Sequence, residues 1–305
     1  MTGARIPRFA FWLALAALIA AQPGRPQAGT PNDEVTITPG VVVAGSPELI
    51  RVRLPAGDNV EGAWLDKKLQ FFRSRDGHAW YALAGVDVKA AVGSSTLQIT
   101  AHTAAGAAIG DRPAIDLSRM VQILPAHYRT STLSVAPKFV EPGPDELTRI
   151  KAEVELKSKV FAASAAQPLW SGDFRAPVHA PPTDSFGTRR TFNGELASVH
   201  EGMDFRAATG TPVRAGNSGV VVLARPLYYE GTCVVIDHGL GLFTISMHLS
   251  RIDVHEGDHV TLGQRIGLSG ATGRVTGPHL HWAVRWQNAY LDPAKLLRMD
   301  LSGVR

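Results

Sequence analysis

The sequence predicts a mainly β protein with two β-rich regions joined by one helix. Short runs of β-type residues recur between turn signals before residue 125. A charged stretch with helical spacing follows near residue 150, and strands punctuated by glycines return after residue 186. The chain has 305 residues, 45% of them hydrophobic, which is enough for two modest domains with cores of their own.

Residues 1–21 have the pattern of a secretory signal peptide. Arg5 and Arg8 precede an unbroken apolar run at residues 9–21, which ends in the small residues Ala20 and Ala21. This run is shorter than the roughly 20 residues of a spanning helix, although an uncleaved N-terminal anchor is an alternative. We therefore expect export to the periplasm or cell envelope, and a disordered linker over the Pro- and Gly-rich residues 22–33.

Composition excludes some functions. The net charge of +4 is too small to indicate nucleic-acid binding, and no basic run with interleaved aromatic residues occurs. We therefore expect no nucleic-acid partner. The one cysteine, Cys233, cannot form an internal disulfide, and its apolar neighbours predict a buried strand position.

Residues 34–125 are predicted to form an Ig-like β-sandwich. Five β-type runs alternate with turn signals such as Pro39-Gly40 and Asp76-Gly77. The region has no cysteine pair, and His78 and His102 are isolated, so we expect no catalytic cluster in it. Three roles are open for this sandwich: it binds a transient envelope partner, it binds the cell wall, or it covers the active-site groove.

A linker helix is predicted within residues 140–170, after the break at residues 142–144. Leu147, Ile150, Val154 and Phe161 lie on one helical stripe with charged residues between them. A Pro-rich hinge at residues 176–182 then opens the last domain, predicted over residues 172–305 as antiparallel β-sheet. A short helix is expected at its end, from Pro293.

Histidine is the informative residue of this last domain, because seven of the eleven histidines lie at or after position 200. His279 and His281 are two residues apart in a β-type run, so both side chains should point to the same face of a strand. His200 and Asp204 are four residues apart, and Gly202 between them argues against a helix. Each pair alone is a weak signal.

Two histidines and one aspartate can bind a catalytic zinc ion without cysteine, because zinc accepts imidazole nitrogen and carboxylate oxygen. A catalytic zinc site keeps three protein ligands and one open position. Other histidines beside it can transfer protons or stabilise developing negative charge. Such a ligand set also suits an oxidising, exported location.

Several motifs occur here in one order over about a hundred residues. They are His200-Glu-Gly-Met-Asp204, Gly210-Thr-Pro-Val, Asp237-His-Gly-Leu-Gly, Met247-His-Leu-Ser, Ser269-Gly-Ala-Thr-Gly and Thr276-Gly-Pro-His-Leu-His-Trp. In this arrangement the chain resembles the lysostaphin-type (LytM-domain) zinc metallopeptidases, which are peptidoglycan endopeptidases. The resemblance implies hydrolysis of a peptide cross-link or stem peptide of bacterial peptidoglycan by metal-activated water.

The resemblance also implies the role of each site residue. His200, Asp204 and His281 are the expected ligands of one Zn²⁺ ion, while His248 and His279 are the expected catalytic residues. His238 matches a recurrent position, which we interpret as structural, and His255 and His259 are expected to face solvent. Arg189, Arg190 and Asn193 either line a substrate groove or belong to a solvated loop.

The sequence departs from the family pattern at Ser246, where members often have a tyrosine expected to help stabilise the oxyanion. A non-catalytic LytM-type module that binds wall or activates another hydrolase is the alternative function. Such degenerate modules usually lack a zinc ligand, and this chain has all three. A bond between D-Ala and a diamino acid is the expected target, with a Gly-Gly bridge as the alternative.

Overall fold

A computed structural model describes residues 35–53, 59–102, 114–194 and 196–304. The predicted signal peptide at residues 1–21 and linker at residues 22–33 lie outside the described residues. No helix in the described ranges is both long enough and apolar enough to cross a membrane.

The N-terminal region consists of two packed sheets. The strands described before residue 125 are β1 (Val35–Thr38), β2 (Val42–Val43), β3 (Pro47–Val52), β4 (Asn59–Trp64), β5 (Lys67–Gln70), β6 (Phe72–Arg73), β7 (Trp80–Gly85), β8 (Gly93–His102) and β9 (Ala114–Leu124). One sheet has the order β1-β3-β7-β6 and the other β2-β9-β8-β4-β5. β1 alternates buried and exposed residues, as expected for a strand with one face on a core.

Side chains from both sheets meet in one apolar core. Ile50 and Val52 from β3 lie in the same cluster of buried residues as Leu97 and Ile99 from β8. This packing makes the region a β-sandwich of the general kind that the sequence predicts. Its Ig-like character stays a prediction.

The segment after the sandwich consists of β10 (Thr130–Leu133), a 3₁₀ turn at Pro137–Phe139 and helix α1 (Pro144–Ala162). Pro144 occupies the first turn, where its missing N–H costs no hydrogen bond. Asp145 and Glu146 lie in the same turn, where the helix dipole favours negative charge. The helix therefore begins where the sequence predicts one.

The predicted contact face of α1 is confirmed at Ile150 and Phe161, which pack on the protein, and is wrong at Leu147 and Val154. Leu147 and Val154 are 54% and 56% exposed. Leu156 and Val160, which the predicted stripe does not include, pack together with Phe161 on the sheet of the C-terminal region. The helix therefore contacts the protein through a face that overlaps the predicted stripe only in part.

The C-terminal region is built almost entirely of strands. They are β11 (Pro182–Asp184), β12 (Arg189–Phe192), β13 (Leu196–Val199), β14 (Met203–Phe205), β15 (Pro212–Arg214), β16 (Gly219–Leu227), β17 (Gly231–Asp237), β18 (Leu242–Ile252), β19 (His259–Val260), β20 (Arg265–Ser269), β21 (Leu280–Trp286) and β22 (Ala289–Leu291). The short helix α2 (Pro293–Leu296) follows, with the side chain of Asp292 capping the N–H of Ala294.

One antiparallel sheet organises this region. Its path is β11-β14-β21-β18-β17-β16-β19, with β15, β20 and β22 paired beside it. β21 lies near the middle of the path and is buried along nearly its whole length, because other elements cover both of its faces. Cys233 is fully buried in β17, which confirms the prediction for this residue.

The two β-rich regions and the connecting segment share packed surfaces. Phe72 of the sandwich packs edge-on against Trp170, with ring centroids 5.7 Å apart. The hydroxyl of Tyr128 donates a 2.6 Å hydrogen bond to the carbonyl of Ala44. β10 pairs in parallel with β12, which the sequence analysis did not predict. The connecting segment is therefore part of the C-terminal fold.

Candidate metal centre and active-site cleft

His200 lies directly after β13, and its side chain is buried. Its Nδ1 is 2.8 Å from the carbonyl oxygen of Ser185. A carbonyl oxygen can only accept a hydrogen bond, so Nδ1 carries the proton and donates it. The lone pair of His200 is thereby on Nε2, the atom that faces Asp204 and His281.

Strand register brings the other two predicted ligands together. Asp204 on β14 lies directly opposite His281 on β21 in the antiparallel ladder. Asp204 Oδ1 is 2.8 Å from His281 Nδ1 and 3.1 Å from His200 Nε2, and those two nitrogens are 2.9 Å apart. Three potential ligand atoms thus converge on one point, which none of the sequence spacings alone could show.

The donor set and its geometry fit a zinc ion. Tetrahedral coordination with Zn–N distances near 2.0–2.1 Å separates ligand atoms by ~3.3 Å. The observed separations differ from this by a few tenths of an ångström, so small side-chain movements suffice. The ligand atoms of these three residues all lie within 4.8 Å of one another. Burial lowers the pKa of His281 to about 4, which keeps it in the neutral form that binds a metal.

A second layer of contacts orients Asp204. Arg190 on β12 donates to Asp204 Oδ2 at 2.7 Å and to Asp184 Oδ2 at 2.5 Å. Burial alone would raise the pKa of Asp204, but hydrogen bonds to His200 and His281 hold it well below its usual range. Asp204 is therefore a carboxylate with one oxygen held by Arg190 and the other facing both histidines. Outer contacts of this kind fix metal ligands in a productive orientation.

His248 and His279 lie beside the ligand cluster. Their rings are 4.9 Å apart between centroids, and His248 is 5.9 Å from His281 by the same measure. His248 Nδ1 donates to the carbonyl of Thr272 at 2.8 Å, and His279 Nδ1 donates to that of Gly277 at 2.9 Å. In both residues the unprotonated Nε2 is left available. Burial lowers the pKa of His248 to about 3, so its ring is neutral near pH 7.

His248 reaches the site through a local irregularity of β18. Its φ of 63° is unusual for a residue with a side chain, and the β17–β18 register shifts across this position. As a result both Met247 and His248 line the cleft, whereas a regular strand would turn one of them away. Backbone strain of this kind is typical of functional positions.

All five residues line one open cleft with a volume of about 540 Å³. Its walls also include Leu133 and Val135 from the connecting segment and Lys157 from α1. The loop from Gly270 to His279 forms the rim beside His248. The cleft is therefore made by the C-terminal sheet together with the segment that precedes it.

The remaining histidines lie in other surroundings. His238 is fully buried, donates from Nδ1 to the carbonyl of Ser218 and accepts at Nε2 from the hydroxyl of Thr244. These bonds support the structural interpretation. The side chain of His255 is 92% exposed and His259 is exposed too, as expected. His78 is exposed in a turn of the sandwich, and the side chain of His102 lies outside the described residues.

The expectation for Ser246 is not supported by the structure. Ser246 is buried, lies opposite Val234 and Trp282 in the sheet, and is not among the cleft residues. The side chain of a tyrosine at this position would point from the covered face of β18 and not into the cleft. The effect on the oxyanion that the sequence analysis attaches to position 246 therefore has no geometric basis.

Several contributors to the site were not predicted from the sequence. Asp184 and Ser185 carry no motif signal, because each acts through a contact with a residue elsewhere in the chain. Thr272 lies in the Ser269-Gly-Ala-Thr-Gly motif, but only the structure shows that its carbonyl oxygen accepts from His248. Strand alternation could have separated the two arginines of β12: Arg190 faces the cleft and Arg189 is exposed. The side-chain amide of Asn193 accepts a hydrogen bond from the N–H of Val135 and donates one to its carbonyl oxygen, so its role is structural.

Comparisons with known proteins agree with this geometry. Residues 198–293 match the profile of Peptidase family M23. The peptidoglycan DD-endopeptidase ShyA of Vibrio cholerae serotype O1 is 55% identical over 83 residues, which are 27% of this chain and 19% of that protein. The DD-carboxypeptidase/endopeptidase Mpg of Neisseria meningitidis serogroup B is 40% identical over 98 residues, 32% of this chain and 23% of that protein.

An M23 structure from Pseudomonas aeruginosa has a TM-score of 0.61 and 27% identity, covering 84% of this chain and 94% of that one. The likeness therefore extends beyond the matched family segment into the N-terminal region. Fold and ligand cluster together define a metallopeptidase domain with a site for zinc. Residues 198–293 are a Peptidase M23 domain of the lysostaphin (LytM) type. The matched segments make up about a fifth of the curated relatives' length.

Proposed function

We propose that the protein is a zinc-dependent endopeptidase that hydrolyses peptide cross-links or stem peptides of bacterial peptidoglycan. The observation that carries the proposal is the convergence of His200, Asp204 and His281 at the base of a cleft, with His248 and His279 beside them. We assign the first three residues as zinc ligands and the last two as catalytic residues.

Zinc, when bound, supplies a Lewis acid that polarises a peptide carbonyl and makes a water molecule more acidic. His248 and His279 each hold a proton on Nδ1 through a bond to a backbone carbonyl. Their Nε2 atoms are the two positions that can accept a proton from water and return it to the leaving amine. In the protonated form the same atoms can donate to developing negative charge on the carbonyl oxygen.

The substrate class rests on the relatives. Two that match this chain are named peptidoglycan DD-endopeptidases, from Vibrio cholerae. A bond between D-Ala and a diamino acid is accordingly the target that we propose. Peptidoglycan lies outside the cytoplasm, so this function places the protein in the cell envelope or periplasm, in agreement with the signal pattern of residues 1–21. The N-terminal sandwich is then the surface available for a transient envelope partner.

Digestion of purified sacculi tests the function. The zinc-loaded full chain is incubated with sacculi, and the released peptides are identified by mass spectrometry. We expect a new carboxyl terminus at D-Ala and a new free amine on the diamino acid, and neither with His281→Ala. Absence of new termini at full zinc occupancy would contradict the enzyme proposal. Termini that persist with His281→Ala would contradict the ligand assignment.

The alternative, a non-catalytic module that binds wall or activates another hydrolase, is not favoured. A module without catalysis has no need for three ligands, an arginine that orients one of them, and two further histidines with free Nε2 atoms. Sacculus binding without cleavage would support this alternative instead.

A further inference from the structure

In the part of the chain that the structure describes, three arginines line the cleft: Arg190, Arg206 and Arg274. Arg190 is occupied by Asp184 and Asp204. Arg206 is exposed, so water surrounds its charge. Arg274 is partly buried, and no carboxylate of the described residues forms an ion pair with it. Glu230 also lines the cleft and attracts Arg274 at longer range, but it forms its ion pair with Lys157. Of the cleft arginines in the described residues, Arg274 is therefore the one that combines partial burial with no direct ion pair.

Arg274 is held in place by two aromatic rings. Its guanidinium carbon lies 4.6 Å from the ring centroid of Phe192 and 4.6 Å from that of Tyr229. Its backbone N–H donates to the carbonyl of Tyr229 at 2.9 Å. Contacts with ring faces fix a guanidinium group while its N–H edge stays available for hydrogen bonds. Burial lowers the pKa of Arg274, but an arginine stays charged in proteins.

The position of Arg274 ties it to the reacting groups. It lies in the loop from Gly270 to His279, two residues after Thr272, whose carbonyl holds His248. The same loop ends at His279. Arg274, His248 and His279 also line the same cleft. We therefore expect a negatively charged substrate group bound by Arg274 to lie close to the bond that is cut.

We propose that Arg274 forms a carboxylate-binding subsite that selects peptides with a free carboxylate beside the scissile amide. This inference rests on the proposed function and names its substrate class. A guanidinium binds a carboxylate through two parallel hydrogen bonds. Peptides that end in D-Ala–D-Ala, and D-Ala joined to the D-centre of a diamino acid, carry a carboxylate on the carbon attached to the scissile nitrogen. A Gly-Gly bond inside a bridge carries none, so the subsite excludes that alternative.

The test compares two synthetic peptides that differ at one group. Both end in D-Ala–D-Ala, one as the free carboxylate and the other as the primary carboxamide. A charge-assisted hydrogen-bonded pair favours the carboxylate by about 10- to 100-fold. We expect the zinc-loaded full chain to show that ratio in kcat/KM. Arg274→Gln should reduce the ratio to near one by slowing cleavage of the carboxylate peptide, and Arg274→Lys should give an intermediate ratio.

Two control variants separate this role from general charge. Arg206→Gln removes the exposed cleft arginine, and Arg189→Gln removes an exposed arginine outside the cleft. Both should keep the preference of the unaltered chain. The proposal would be overturned if Arg274→Gln kept the preference for the carboxylate peptide. It would also be overturned if Arg206→Gln lost this preference while Arg274→Gln kept it.

A binding measurement keeps this test independent of turnover. In the His279→Ala background, calorimetry should show 10- to 100-fold tighter binding of the carboxylate peptide than of the carboxamide. Adding Arg274→Gln should abolish that difference. If the unaltered chain cleaves neither peptide, nor sacculi, the proposed function fails while the binding difference still decides for or against the subsite. Equal binding of both peptides would overturn the proposed carboxylate subsite.

Discussion

Gly202 lies between the ligands His200 and Asp204, and replacing it by alanine should damage the metal centre without removing any ligand. A Cβ at position 202 would collide with the imidazole of His281, with Cε1 at only 2.6 Å and the carbonyl oxygen of Trp282 at 2.8 Å. Ordinary contacts of a Cβ begin at 3.4 Å. The backbone of His281 is fixed by its pairing with Asp204, so the ring itself has to move.

The required movement sets the size of the effect. The ring must shift by roughly 0.8 Å or more, beyond the ~0.5 Å tolerance of a preorganised site. We expect Gly202→Ala to weaken zinc binding by about 10- to 100-fold, as loss of an orienting contact does. Overpacking should lower the free energy of unfolding by about 1–3 kcal/mol.

Competition with a chromogenic chelator measures zinc affinity, and denaturant unfolding of the metal-free chain measures stability. Gly303→Ala is the matched control, because a Cβ there meets nothing within 4 Å. Both variants change the unfolded chain in the same way, so their difference reports on the folded state.

A double-mutant cycle removes the remaining ambiguity. If the collision with His281 is the cause, Gly202→Ala should cost less stability in a His281→Ala background, because the opposing ring is gone. Zinc affinity of Gly202→Ala equal to that of Gly303→Ala would refute the reasoning. An equal stability cost in both backgrounds would refute the named contact.

Three further predictions follow from the same contacts. His248→Ala and His279→Ala should retain zinc in the chelator assay yet lose about 10²- to 10⁴-fold in kcat, whereas His281→Ala should lose zinc; loss of zinc in either of the first two would contradict their assignment. Burial raises the pKa of Glu48 to about 8, so the folded protein binds this proton more tightly than the unfolded chain, and the free energy of unfolding should fall by about 2–4 kcal/mol as the pH rises from 4.5 to 8. Unfolding curves at both pH values measure this fall, which should be smaller in Glu48→Gln. An equal fall in the variant and in the unaltered chain would contradict the prediction. Trp170→Ala should cost about 3–5 kcal/mol of unfolding free energy, because the ring is 1% exposed and packs on Phe72; a change below 1 kcal/mol would contradict its role in joining the two regions.

Much of the fold follows from local pattern. The runs around Leu49, Thr96 and Val234 are strands in the structure, because β-type residues between glycine or proline turns have few other ways to bury their apolar side chains. His279 forms an isolated bridge with Gly270 directly before β21, and both His279 and His281 line the cleft, as period-two alternation predicts. These features depend on residues that are neighbours in sequence.

The face of α1 and the pairing of β10 depend on distant residues and could not be found this way. The four apolar positions of the helix predicted one stripe, but the surface available to it is shaped by Phe243 and Arg285, which contact Phe161. β10 has only four residues, and its partner β12 begins more than fifty residues later. Short polar strands of this kind gain their stability from the partner strand, so their own composition is a weak signal.

The metal centre combines both kinds of information. Asp204 and His281 lie opposite each other because β14 and β21 pair in a register that also sets Met203 against Trp282. A slip by one residue would turn one ligand to the other face, so the burial of Met203 and Trp282 in the core maintains the position of the ligands. His200 comes from a neighbouring sheet and is oriented by the carbonyl of Ser185. The site thus depends on core packing as much as on its ligands, and substitutions in buried apolar residues of β14 and β21 should act on zinc binding through register.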